Sequence, residues 1–452
     1  MSRLLLTFYS DDFTGSTDAL EQLTLAGIRT VLFIEPPKRR QLARFKNLQA
    51  IGVAAMTRSI APNEMGKVLR PALKKLKALG APHVHYKVCS TFDSSPKIGS
   101  IGRVIDVATE IFPARFVPLL VAAPALGRYT VFGNHFARYG IGSAGEIHRL
   151  DRHPSISKHP ITPMTEADLR LHLARQTKKR IELFDILKLA LPLSKARPAL
   201  ARVIKGGAEV VLFDALYPEQ LQRIGELIDG YASRKQPLFS VGSSGVEAAW
   251  AAYFNSCSSR RKEAQTPDRS RMSQLSHVGR YETILVASGS CSPVTAAQIR
   301  WATKNGFTEV ALDTKALISD ERSAGEIRRL TDATVSVLKT GRSVIVHTVK
   351  QRPMRIAETA KLFGSALGSI ARQALSHTGV RRLCVAGGDT ASYAARAMGI
   401  EALEMIARLT PGAPLCRAYA PDSPVDGREV VFKGGQVGAE DYFGLVANGR
   451  PG

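Results

Sequence analysis

The strongest constraint on the fold is an alternation of short β-branched runs with longer amphipathic stretches, the pattern of parallel sheets covered by helices. Candidate strands in the first half are Leu4–Tyr9, Thr30–Ile34, Ala50–Ala54, His83–Lys87, Pro118–Ala122, Glu209–Phe213 and Pro237–Val241. Helical stretches such as Asn63–Leu79 and Glu219–Tyr231 fall between them. The alternation resumes with Thr283–Ala287, Glu309–Leu312, Ser343–Thr348, Arg382–Ala386 and Glu429–Phe432. Between the two series, Asn255 to Gly279 is polar and nearly free of β-branched and aromatic residues, so it reads as a linker. The expected fold is α/β with two domains, each a mainly parallel sheet flanked by helices. The expected boundaries are 1–255, a basic linker over 256–279, and 280–452. Tyr139 to His159, rich in Gly, His and Pro, reads as a long loop.

A length of 452 residues fits this division, since one domain takes roughly 150. No apolar run approaches the ~20 residues of a membrane-spanning helix, and the first ten residues resemble a strand more than a signal peptide. A cytoplasmic location is expected. Five scattered cysteines form no CxxC pair and no zinc spacing, which argues for reduced thiols. The net charge of +23 is spread along the chain, and its one dense cluster, Arg260 to Arg271, lacks interleaved aromatics. A basic surface around an anion site is therefore preferred to nucleic-acid binding.

In open parallel sheets, ligands bind at the carboxyl ends of strands, so the residues just after each strand are the first candidates. Asp11 and Asp12 follow the first strand. Adjacent carboxylates there bind a metal, accept substrate hydroxyls or remove a proton, while a plain helix cap needs only one of them. Lys87 ends another strand and leads into Cys89-Ser90-Thr91-Phe92-Asp93. A cation with convergent hydroxyls suits an anionic substrate, although a surface lysine and polar turn is the plainer reading. In the second half, Ser288-Gly289-Ser290-Cys291-Ser292-Pro293, Gly387-Gly388-Asp389-Thr390 and Gly434-Gly435 each follow a strand. Small residues there let a phosphate approach backbone N–H groups at a helix start.

Several other chemistries lack support. GxxxxGK[ST], HExxH and GxSxG are absent. A GxGxxG at Gly140, Gly142 and Gly145 fails on context, because Phe136–Tyr139 is a poor strand and Pro154, Pro160 and Pro163 exclude a long helix after it. His153 and His159 have no metal-ligand spacing, so solvated or capping roles are expected.

Taken together, the loops resemble the four-carbon acid sugar kinase family. The matching stretches are Asp11–Gly15, Tyr86–Ser94, His159–Met164, Ser288–Ser292, Gly387–Thr390 and Gly434-Gly435, in the family's order over nearly the whole chain. The resemblance implies an N-terminal domain for the acid sugar, a C-terminal domain for ATP, and an active site in the cleft between them. It implies nucleotide contacts at Ser288, Gly387, Gly388, Asp389, Thr390 and Gly435. On the substrate side it implies Asp11, Asp12, Arg58, Lys87, Ser90, Thr91 and Asp93. The expected reaction is ATP- and Mg²⁺-dependent phosphorylation of a hydroxyl of a 3-oxo-tetronate, threonate or erythronate type of acid. Asp12 is the first choice as base and Asp93 the second, and Arg58 or Lys87 would meet the substrate carboxylate. Ser10 and Met56 depart from residues usual in the family, which leaves the acid itself open, as is a homodimer. The rivals are a non-catalytic sugar-acid sensor of the same fold and an NAD-dependent dehydrogenase.

Overall fold

The computed structural model describes residues 4–139, 145–159, 161–262, 281, 283–348 and 356–449. They form two compact units. One comprises the described residues up to Thr30 and from Pro36 to Lys262; the other comprises Val31–Glu35 and the described residues from Tyr281 onward.

In the first unit seven parallel strands lie in the order Ala50–Ala54, Leu6–Ser10, His83–Lys87, Leu238–Gly242, Val117–Leu120, Val210–Phe213 and Ile181–Phe184. Every residue of Leu6–Ser10, Ala50–Ala54, His83–Lys87 and Leu238–Gly242 is buried, as expected of strands covered on both faces. Helix Ile101–Ile111 shows how the covering layer forms. Ser100 caps it by accepting from the Arg103 N–H, and Ile101, Val104, Ile105 and Ala108 present one buried stripe. Full burial of each isoleucine or valine there contributes roughly 1.5–3 kcal/mol.

The second unit has parallel strands in the order Thr308–Leu312, Val344–Thr348, Leu285–Ser288, Arg382–Ala386 and Glu429–Lys433. Ala413–Tyr419, Ala402–Thr410 and Thr30–Phe33 then extend it in antiparallel fashion. The chain thus places a segment from near its start into this unit. Leu32 and Phe33 pair with Leu403 and Ala402, and Arg396 donates to the Ile34 carbonyl at 3.2 Å.

All twelve strands expected from the sequence are present, within a few residues at their ends. Other strands had been missed. Arg128–Val131, Asn134–Arg138 and Ile147–Arg149 form a small antiparallel sheet. The segment read as a loop from Tyr139 to His159 therefore contains a strand, and the Phe136–Arg138 stretch read as a poor strand belongs to one. Gly140 and Gly142 lie outside the described residues; Gly145 accepts from Arg138 through its carbonyl. The burial pattern explains the miss: Arg128–Val131 and Asn134–Arg138 alternate buried and half-buried residues of mixed polarity, and they pair with each other and with Ile147–Arg149 without a continuous apolar run. Ala402–Thr410 and Ala413–Tyr419 carried a recognisable signal, alternating residues around Pro411-Gly412, with Gly412 at φ +81°. Of the stretch read as a linker, Ser256–Lys262 close the helix Ser244–Lys262, and 263–279 lie outside the described residues. None of the five cysteines is in a disulfide.

Candidate active site

The parallel register of the first unit brings four strand ends to one edge. Ser10 stands beside Ala54 and Lys87, and Lys87 beside Gly242. The loops that follow are stitched together by backbone bonds: Ala55 N–H to the Ser10 carbonyl at 3.2 Å, Asp11 N–H to that of Lys87 at 2.9 Å, Arg58 N–H to that of Asp11 at 3.1 Å, and Val88 N–H to that of Gly242 at 2.7 Å.

Asp11 and Asp12 have different surroundings. Both oxygens of Asp11 accept from Arg58, from Nη2 at 2.8 Å and Nε at 3.1 Å. Asp12 caps the helix Phe13–Leu25, accepting from the Gly15 N–H at 2.8 Å and from Thr14 Oγ1 at 2.9 Å, and also pairs with Arg58 Nη1 at 3.0 Å. The alternatives of cap and functional carboxylate thus coexist in one residue. Burial pushes both carboxyls up. For Asp11 burial prevails, helped by the neighbouring Asp12, and it stays above its ordinary value despite Arg58. For Asp12, Arg58, Lys87 and the bonds from Thr14 and Gly15 outweigh burial and hold it below. Arg58, expected with Lys87 as a candidate for the substrate carboxylate, has each of its three guanidinium nitrogens against an aspartate, and a quarter of its side chain stays exposed.

Lys87 is buried, donates to the Val88 carbonyl at 3.1 Å and faces Asp18 at 3.4 Å. Burial pulls its ammonium down, but Asp18, Glu247 and Asp12 more than offset this and keep it charged. A Cβ on Gly15 would lie 2.5 Å from Asp12 Oδ1 and 3.3 Å from Lys87 Nζ, so only glycine admits this close approach. Beyond it, Thr91 Oγ1 donates to Asp93 at 2.8 Å, and the Ser90 carbonyl accepts from His135 Nε2 at 2.8 Å. Phe92 is buried at φ +57°, an outlier for a bulky residue; such backbone strain, costing about 1–3 kcal/mol, concentrates at functional loops. His153 and His159 are capping residues, each accepting at Nδ1 from a backbone N–H, that of Ser155 at 3.3 Å and of Thr162 at 3.1 Å. His153 is buried rather than solvated.

Sequence reasoning missed Asp18, Glu247 and the Gly242–Gly245 turn. Glu247, in the first turn of Ser244–Lys262, is fully buried, and burial raises its carboxyl to about 8. His85 Nε2 lies 3.5 Å away, and its Nδ1 faces the Ser240 carbonyl at 3.2 Å and the Ser240 hydroxyl at 3.1 Å. Backbone approach at this turn leaves no room for side chains, since a Cβ on Gly242 or Gly245 would come within 1.9 Å of a carbonyl oxygen. A glycine-serine run directly after a strand was the available signal.

In the second unit, Ser288, Ala386 and Lys433 are adjacent strand ends. The Gly289 N–H donates to the Ala386 carbonyl at 3.1 Å and the Gly387 N–H to that of Lys433 at 2.9 Å. Two helices start at this edge, Pro293–Lys304 and Gly388–Ala397. Ser292 caps the first by accepting from the Val294 N–H and also donates to the Gly435 carbonyl at 2.7 Å. A Cβ on Gly289 would lie 2.3 Å from Thr390 Oγ1, and one on Gly435 would lie 2.9 Å from Ser290 Oγ. The Ser288 hydroxyl is buried with no hydrogen-bond partner, and leaving such a group unsatisfied costs about 1–3 kcal/mol. An orphan hydroxyl, bare backbone and two helix starts suit a phosphate. All the expected nucleotide residues therefore lie at this edge, although only the backbone of Asp389 is described. Gly387 sits at φ +123°. Replacing it with alanine is expected to introduce about 1–3 kcal/mol of strain and to push Thr390. Nucleotide affinity should fall at least about tenfold, the equivalent of 1.4 kcal/mol; a titration showing wild-type affinity would remove this loop from the site.

Two domain models account for most of the chain. One described as a sugar-binding N-terminal domain matches residues 6–250, and one described as a nucleotide-binding C-terminal domain matches 285–443. The chain belongs to the four-carbon acid sugar kinase family. Among its relatives, the 3-oxo-isoapionate kinase of Paraburkholderia graminis is 42% identical, over 99% of this chain and 95% of its own length. The 3-oxo-tetronate kinase of Pseudomonas fluorescens is 30% identical over 99% and 98%. A crystal structure of a Salmonella typhimurium protein superposes with a TM-score of 0.76 at 25% identity, covering 98% of each chain. The protein is accordingly an acid sugar kinase, a phosphotransferase acting on an alcohol group. Among the described residues no helix is long and apolar enough to cross a membrane.

Proposed function

We propose that this kinase uses ATP to phosphorylate a hydroxyl of a 3-oxo sugar acid of the isoapionate or tetronate type, with residues at the first unit's strand ends holding the acid. The observation that carries this reading is the buried Asp11–Arg58–Asp12 network beside the Lys87 ammonium, inside the segment matched by the sugar-binding model.

Lys87 supplies the positive charge for the substrate carboxylate. Ser90, Thr91 and Asp93 offer groups for its hydroxyls. Arg58 positions the two aspartates rather than the acid. Asp12, held ionised by Arg58 and Lys87, accepts a hydrogen bond from the acceptor hydroxyl and orients it; a carboxylate kept below its usual range is a weak base, so alignment is its larger contribution. Asp93 is the second candidate for this role. In the second unit the Ser288 hydroxyl, the Gly387–Thr390 turn and Gly435 hold the triphosphate. Among the described residues no cluster of three His, Cys, Asp or Glu side chains forms a metal cage. That fits Mg²⁺, which binds through phosphates and water with few protein ligands and would supply charge neutralisation on the phosphates. The excess of basic residues favours capture of two anionic ligands and needs no nucleic-acid partner.

A coupled assay for ADP release with 3-oxo-isoapionate, 3-oxo-tetronate, threonate and erythronate tests the proposal. Turnover is expected with a 3-oxo acid and weaker turnover with the reduced acids. Nucleotide binding without ADP release in the presence of any of them would favour a sensor instead.

A further inference from the structure

Lys433 ends the strand Glu429–Lys433, just before the glycine turn at Gly434-Gly435, and its side chain is fully buried. Its Nζ donates to Thr295 Oγ1 at 3.0 Å and lies 5.6 Å from the centroid of the Tyr442 ring. Thr295 Oγ1 in turn donates to the Gly435 carbonyl at 3.0 Å, next to the Ser292 bond to the same oxygen. Lys433 therefore sits one layer behind the loop assigned to phosphate, linked to it through a hydroxyl.

Among the described side chains, no carboxylate that faces Lys433 neutralises it. From the strand Arg382–Ala386 comes Cys384, a buried thiol pushed up to about 12 and thus uncharged. From the C-terminal helix Tyr442–Asn448 comes the Tyr442 ring, and from Pro293–Lys304 the Thr295 hydroxyl. Arg300, Lys304, Glu440 and Asp441 on or beside those helices are exposed. On its own strand, Glu429 is paired with Arg382. A buried ammonium with no carboxylate among the described side chains beside it is strained electrostatically, and burial pulls this one down to about 8. The Ser288 hydroxyl, at a neighbouring strand end on the same side of the sheet, is buried without a partner and leaves a polar group for a ligand at this edge.

We propose that Lys433 is a proton-accepting positioning residue: its amine takes up a proton from solvent as the nucleotide phosphates settle at the loop, and the ammonium so formed strengthens the Thr295–Gly435 clasp beneath them. This rests on the reading that the second unit holds the nucleotide. The sign follows from charge. Phosphate favours the ammonium, so the Lys433 pKa is higher in the complex than in the free protein. Binding absorbs a proton at pH values between the two, and affinity falls as pH rises through about 8. A lysine that merely fills space has neither property.

The test is calorimetric titration of the full chain with ADP at pH 8.5, in two buffers of different ionisation enthalpy. The apparent heat is expected to differ between buffers by a substantial fraction of one proton, and the difference should vanish in Lys433→Met. At pH 7.5 that variant should bind ADP about tenfold more weakly, one pKa unit's worth, with the gap narrowing above pH 8. Methionine is apolar and of similar length, and exchanging a buried charge for such a group is often neutral or stabilising. The buffer comparison on the unaltered protein needs no variant. Equal heats in both buffers, with ADP bound, would overturn the assignment and leave the nucleotide reading intact; no ADP binding at all would overturn both.

Discussion

Arg58→Met is expected to destabilise the first unit by about 3 kcal/mol and to abolish turnover, because it leaves Asp11 buried without a counter-charge. Asp11 has only 4% of its side chain exposed, and both its oxygens depend on Arg58. The magnitude is set at the low end of the usual range because a quarter of the Arg58 side chain reaches solvent. The shift in the urea unfolding midpoint measures the effect. The pH dependence gives an independent check. Asp11 is already raised by burial, and loss of Arg58 raises it further, so its neutral form becomes easier to populate. The deficit should therefore shrink as pH falls and Asp11 takes up a proton. Asp11→Asn in the Arg58→Met background should recover part of the loss. If the double variant were no more stable than the single one, buried charge would not be the cause.

The second large effect concerns Asp12. Asp12→Asn should lower turnover by about 10²-fold, the order lost when a reacting group is misaligned. Stability should stay within about 1 kcal/mol, since asparagine caps helices as well as aspartate does and its oxygen still accepts from the Gly15 N–H. Arg58 keeps its two bonds to Asp11. Steady-state kinetics beside thermal unfolding separate the two effects. Full turnover in Asp12→Asn, with loss in Asp93→Asn, would move the role to Asp93.

Much of the fold was legible because its signals are local. Strands such as Ala50–Ala54 and His83–Lys87, buried along their whole length, were located to the residue. Their ends led directly to Asp11, Asp12, Lys87, Ser288 and the Gly387 turn, because open parallel sheets place loops at their carboxyl edge. The hairpin Ala402–Thr410 and Ala413–Tyr419 and the ribbon around Asn134–Arg138 were overlooked. Their stability comes from antiparallel partners rather than from continuous apolar runs.

The order of short apolar runs, turn glycines and strand-end polar residues determined, within the chain alone, the fold class and the two groups of loops that matter. Only the tertiary structure decided how each charge is used. Arg58 stood out only as a cation after a strand, and the fold sets it against Asp11 and Asp12, 47 positions away from the first of them. Nothing in the local sequence sets Glu247 or Lys433 apart. Their burial exists only because the fold brings distant segments against them, such as Thr295 against Lys433 across 138 positions. Burial, and with it the cost of holding a charge, depends on everything packed around a group, and no local pattern of residues encodes it.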